Sequence, residues 1–142
     1  MNLELDRVSD QASLLDRELD AHAAAIAAAT SPAAVDVAEA AHGDAMAPRM
    51  GDLDHMLVDM MTYCRQRQSQ ERGRTHDMQS AVASMRAELE RHRSAPRADL
   101  VAARAEEEKH LRETRGIMTR LRDAGTAMRH EAGFYRCQHS NH

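Results

Sequence analysis

The sequence predicts an all-α protein, an antiparallel up-down-up-down four-helix bundle. Three observations carry that prediction. The first is composition: alanine, leucine, glutamate, arginine and methionine are plentiful, while the 142 residues include only 6 glycines, 3 prolines and 2% aromatics. Such a chain favours helices and is poor in the residues that strands prefer. The second is periodicity, because apolar residues recur at steps of three and four, the repeat of one helix face. The third is punctuation. Breakers at Thr30-Ser31-Pro32, Arg65–Thr75 and Ser94-Ala95-Pro96 leave four long segments with short connections, which makes successive helices antiparallel.

The first helix is expected over Leu3–Ala29, with Leu5, Val8, Ala12, Leu15, Leu19, His22 and Ile26 on its seam. Ser31 as N-cap and Pro32 at the first helical position open the second. Val35, Ala38/Glu39, His42 and Met46 face inward there. Pro48 lacks a backbone donor and lies between Gly43 and Gly51, so a kink or break is expected near it. The pattern resumes from Asp52 to about Gln68, through a polar turn in which Thr75 caps the third helix. Met78, Val82, Met85, Leu89 and His92 form the third seam. The fourth runs from about Arg97 to Arg129 or beyond, with Leu100, Ala103, Glu107, His110, Thr114, Ile117, Leu121 and Met128 inward. Residues 1–133 are expected to form one domain and 134–142 a flexible tail containing Cys and His.

The formal charge of −4 is mild and the charges are interspersed, which argues against a nucleic-acid platform. No run of about 18 apolar residues exists to span a membrane. The acidic amphipathic start is not a signal peptide, which points to the cytoplasm, or to the periplasm if a leader precedes it. The cysteines, Cys64 and Cys137, are too few for a disulfide scaffold; they are compatible with free thiols, one disulfide or soft metal ligands. Nucleophile elbow, phosphate loop and CxxCH haem attachment are all missing, so no nucleotide or covalent haem is expected.

Four histidines interrupt the seams. The first helix carries Glu18-Leu19-x-x-His22 and the third Glu88-Leu89-x-x-His92, while the second carries Glu39-x-x-His42 and the fourth Glu107-x-x-His110. At about 1.5 Å per residue, His22 lies roughly 10 Å and His92 roughly 3 Å from the end made by the two Pro-containing turns. By the same rise, Glu39/His42 lie about 10–15 Å and Glu107/His110 about 15–20 Å from it. All belong to one half of the bundle. Imidazole and carboxylate three or four apart on a helix leave the same face and can share an ion. The arrangement resembles the carboxylate-bridged di-iron bundles of the ferritin-like type, in which two helices give a Glu and two give Glu-x-x-His. That resemblance implies iron, although the long crossover of those bundles is missing here.

Methionine density points elsewhere. Thioethers are soft ligands that suit Cu(I), and His42-Met46-Met50 is a ladder of mixed N and S donors; Met56-Met60 is another pair. Methionine is also a gap-filler of helical cores. The tail offers Cys137, His139 and His142, with His130 preceding them. His55 and His76 read as surface residues, and Glu106-Glu107-Glu108 as mostly a solvated face paired with Arg104 and Arg112. The sequence thus predicts a metal-binding bundle, copper first, then iron or zinc, that captures or senses the ion. Its ligands would come from His22, Glu39, His42, Met46, Met50, His92, Glu107 and His110. The alternative is a metal-free interaction bundle that dimerises or docks a helical partner through Met and Leu. Haem or another cofactor held between helices by His and Met ranks third.

Overall fold

Leu5, Val8, Ala12, Leu15, Leu19, His22 and Ile26, the whole expected seam, are buried on one stripe of α1 (Asn2–Ala28). The computed structural model describes the backbone of residues 2–66 and 71–140, and side chains within 3–66 and 71–131. Three more helices follow: α2 (Pro32–Gln66), α3 (Arg72–Ser94) and α4 (Leu100–Ser140). α1 packs on α2 and α4, and α3 on α2 and α4, so α1/α3 and α2/α4 are the diagonals of an antiparallel bundle.

The helix starts follow local chemistry. Ser31 Oγ accepts the amide of Ala34 at 3.2 Å, and Asp99 Oδ1 accepts that of Ala102 at 2.8 Å, each satisfying a donor left over by the first turn. α3 starts earlier than expected. Its N-cap position is Glu71, and Thr75 is fully buried, donating its hydroxyl to the Glu71 carbonyl at 3.1 Å. Thr75 is therefore an interior residue that returns its hydrogen bond to the preceding turn, and not the cap. Beside it lie the buried Cys64 Sγ, 3.8 Å from Thr75 Oγ1, and the Met128 sulfur at 3.9 Å. Cys137, His139 and His142 have side chains outside the described residues, so the expectations for tail ligands and for a Cys64–Cys137 pairing fall there too, while the backbone of α4 continues as helix to Ser140.

α2 runs unbroken through Pro48. The flanking segment is anchored on both sides by Met46, Met50, Leu53 and Leu57, each nearly or wholly buried, so tertiary packing overrides the missing hydrogen bond. Pro48 itself is exposed. Pro48→Ala is expected to stabilise the protein by about 2 kcal/mol: proline costs a helix interior roughly 3 kcal/mol, less the unfolded-chain rigidity lost on replacing it. A urea midpoint unchanged in this variant would mean that the helix is not strained there.

Outside, Arg115, Arg122 and Arg129 of α4 pair with Asp20, Asp16 and Asp6 of α1. Such exposed pairs stabilise little but favour the antiparallel register. Inside, the packing has three layers. A large apolar core, from Leu5 to Leu19 on α1 and matched by Met46–Cys64, Met78–Leu89 and Ile117–Met128, fills most of the bundle. A small apolar cluster of Ile26, Ala29, Val35 and Ala103 closes the end with the Pro-containing turns. Between them every seam turns polar: His22, His42, His92, Glu107 and His110 are buried at this level. That intermediate layer is the feature the fold sets apart.

Candidate metal centre

Each helix contributes to the polar layer because its seam position there is His or Glu. His22 Nε2 lies 2.8 Å from Glu107 Oε2 and 3.2 Å from Glu39 Oε1. His92 Nε2 lies 2.7 Å from Glu39 Oε2 and 3.7 Å from Glu107 Oε2. One donor atom from each of His22, Glu39, His92 and Glu107 falls within 4.8 Å of all the others, a separation able to hold a metal ion. His42 and His110 lie alongside. Their rings stack on His22 and His92, with centroids 3.9 Å apart in both pairs. Their own Nε2 atoms face each other at 3.1 Å.

Carboxylates hold the outer nitrogens. Glu18 Oε1 lies 3.2 Å from His42 Nδ1, Glu88 Oε2 lies 2.7 Å from His110 Nδ1, and Glu106 Oε2 lies 2.6 Å from His92 Nδ1. Arg91 donates to both Glu88 and Glu106 and fixes them together. The layer is close to two-fold symmetric, with α1 matching α3 and α2 matching α4. Glu18, His22, Glu39 and His42 correspond to Glu88, His92, Glu107 and His110. One break in that symmetry has a plain cause. The residue matching Glu106 is Ala38, so His22 Nδ1 has no acceptor, whereas His92 Nδ1 has one.

Several atoms here have no hydrogen-bond partner in the protein: Nε2 of His22, both carboxylate oxygens of Glu107 and Oε1 of Glu39, with His22 Nδ1 on the outer side of its ring. The 2.8 and 3.2 Å approaches of His22 Nε2 are therefore close charge contacts out of line for hydrogen bonding. Unmatched buried polar atoms are costly and rare in native interiors. Here they are concentrated in one layer, where His22 Nε2, Glu39 Oε1 and Glu107 Oε2 converge.

The same crowding shifts the titrations. Burial would depress His22, but the carboxylates of Glu107 and Glu39 outweigh it and raise the pKa to about 9. Burial would raise Glu39, yet His22 and His92 hold it well below the carboxylate range. Burial, reinforced by the positive charge of neighbouring histidines, pushes His42 down to about 3 and lowers His110. Glu18 is raised by burial. Glu88 and Glu106 are lowered, because Arg91 and a histidine outweigh burial in each.

Of the eight residues expected from the sequence, six meet in this layer: His22, Glu39, His42, His92, Glu107 and His110. Met46 and Met50 are buried with the large apolar core, as are Met60, Met78 and Met85. His55 and His76 are exposed. Glu106 corrects the sequence reading: it is not part of a solvated face, because the α3–α4 packing turns its carboxylate in to His92 and Arg91. Glu18 and Glu88 were visible as Glu-x-x-x-His patterns, but each serves the histidine of the next helix and not its own. Arg91 and Arg97 carried no sequence signal; Arg97 approaches Glu39 at 3.5 Å and donates to the Ala95 carbonyl at 3.0 Å.

Among the described residues no helix is long and apolar enough to cross a membrane. No protein-family model, curated protein or solved structure matches the chain. Fold and site define it as an all-α four-helix bundle with a buried His/Glu cluster able to hold a metal ion.

Proposed function

We propose that the protein binds a divalent transition-metal ion through His22, Glu39, His92 and Glu107, and that it captures or senses that ion. The observation that carries this is the convergence of four donors, three buried and Glu39 half-buried, several without a hydrogen-bond partner in the protein, inside 4.8 Å. A cation offsets the desolvation of two carboxylates and gives the orphaned nitrogen and oxygen atoms a partner. Two imidazoles and two carboxylates are a borderline-to-hard donor set, which suits iron(II) or zinc, and copper(II) through imidazole, better than Cu(I). Glu106 on His92 Nδ1 supplies the outer carboxylate that orients a ligating histidine. Apolar layers on both sides keep the ion from water, which suits retention more than turnover of a substrate.

The test is elemental analysis and thermal melting of the untagged chain with zinc or iron(II). At a free-ion concentration about a hundred times Kd, linkage gives about 2.7 kcal/mol, or a rise in Tm of roughly 10 °C. His22→Ala, melted with and without each ion so that the loss of its own contacts with Glu39 and Glu107 cancels, is expected to lose most of that rise. A wild-type chain that melts at the same temperature with and without each ion would remove the reading.

A further inference from the structure

His42 and His110 lie outside the four-donor set, and their arrangement has a chemistry of its own. Their Nδ1 atoms face carboxylates, Glu18 at 3.2 Å and Glu88 at 2.7 Å, which can only accept when ionised. Two neutral rings that donate there have no proton left on Nε2. The two Nε2 atoms, each with a lone pair, then face each other across 3.1 Å, on rings inclined at 85° and both essentially buried. A proton taken from one Nδ1 would set a bare nitrogen against a carboxylate, and one taken from solvent would place a cation on a buried ring stacked against another histidine. A metal ion removes the conflict. At about 2.0–2.1 Å from each nitrogen it closes an N–metal–N angle of roughly 100°, between the octahedral and tetrahedral values. The carboxylate–histidine–metal relay that fixes the tautomer of ligating histidines is thus already in place on both sides.

We infer that the layer contains a second cation site, in which His42 and His110 share one divalent transition-metal ion next to the ion of the proposed function. The inference rests on that metal-binding reading. It differs from a plan in which each Glu-x-x-His motif holds its own ion, since the two histidines meet at one point. The stacks of His22 on His42 and His92 on His110 space the two ions by about one ring separation, 3.9 Å. That is the spacing of two-metal centres, about 3.5–4 Å. Glu39 and Glu107 precede His42 and His110 by one helical turn, so a carboxylate oxygen without a hydrogen-bond partner in the protein, on Glu39 or Glu107, is available beside each of the two histidines. Charge supports the count as well. Among the described residues Arg91 and Arg97 pair with Glu88, Glu106 and Glu39, whereas no arginine or lysine pairs with Glu107.

Cobalt(II) titration of the full untagged chain, read by absorbance and electron paramagnetic resonance, tests this. Two equivalents are expected to bind, and the resonance intensity is expected to fall on the second addition because adjacent ions couple magnetically. His110→Asn should reduce the capacity to one equivalent, and Glu88→Gln should weaken the second ion about 10–100-fold while sparing the first. The wild-type titration decides the matter even if those variants fold poorly. Saturation at one equivalent overturns the second site and leaves the proposed function intact. Two equivalents with simply additive signals also overturn it, since the second ion would then lie elsewhere, as on Cys137 or His139. No uptake at all overturns both readings.

Discussion

His92→Ala is expected to destabilise the metal-free protein by about 3 kcal/mol, the cost of leaving carboxylate acceptors without their buried donor. His92 is fully buried and holds Glu39 at 2.7 Å and Glu106 at 2.6 Å. Its loss leaves two carboxylates short of a partner, while Arg97 and Arg91 compensate only in part. Replacing His22, Glu39, His92 and Glu107 together by leucine is expected to do the opposite: no loss, or a gain of about 1–4 kcal/mol, because buried charges are exchanged for packing. Urea midpoints of the two variants, measured at neutral pH without metal, make the comparison. The contrast separates a layer kept for what it binds from one kept for stability. If the fourfold variant falls as far as the single one, the polar layer is a structural element and the functional reading loses its energetic basis.

How much of this was legible in the sequence follows from what each signal depends on. Seam positions depend on periodicity within one helix, so Leu5 to Ile26 on α1 and Met78 to His92 on α3 could be read residue by residue. The grouping of His22, His42, His92 and His110 at one level followed from helix rise and the position of the turns. Partner choice depends on rotation of one helix against its neighbour, which no single-helix pattern contains. Glu18 therefore looked like a companion of His22, yet it reaches His42. Glu106 looked solvated in a run of three glutamates, although the α3–α4 interface draws it inward. The methionine ladder left ligation and packing undecided for the same reason. Its spacing marks a buried face equally well for ligation or for packing, and Met46 and Met50 sit with the apolar core. Proline at position 48 overstated the break, since local propensity is weaker than the burial on either side of it.

The layer should also give the metal-free protein an optimum of stability near pH 6.5, falling on both sides. The pKa of His22 is raised from 6.5 to about 9, so the stability it contributes is fully present below 6.5 and is lost as pH rises to about 9. His42 works in the opposite sense. Its pKa is pushed from 6.5 down to about 3, so below 6.5 the unfolded chain takes up a proton that the folded chain refuses, and stability falls with acidification. Glu39 adds to the acid limb: held below its ordinary 4.5, it contributes stability above that value that is lost as pH drops. Each limb is on the order of 2 kcal/mol, given about 1.4 kcal/mol per unit and strong coupling within the cluster. Urea unfolding at pH 5, 6.5 and 8.5 measures both, and a flat profile across that range would contradict the charge arrangement. Metal should change the shape of the curve. An ion on His22 Nε2 takes the place of the proton, so binding releases a proton near neutrality and tightens as pH rises towards 9. The alkaline limb should therefore disappear in the metal-loaded protein while the acid limb remains.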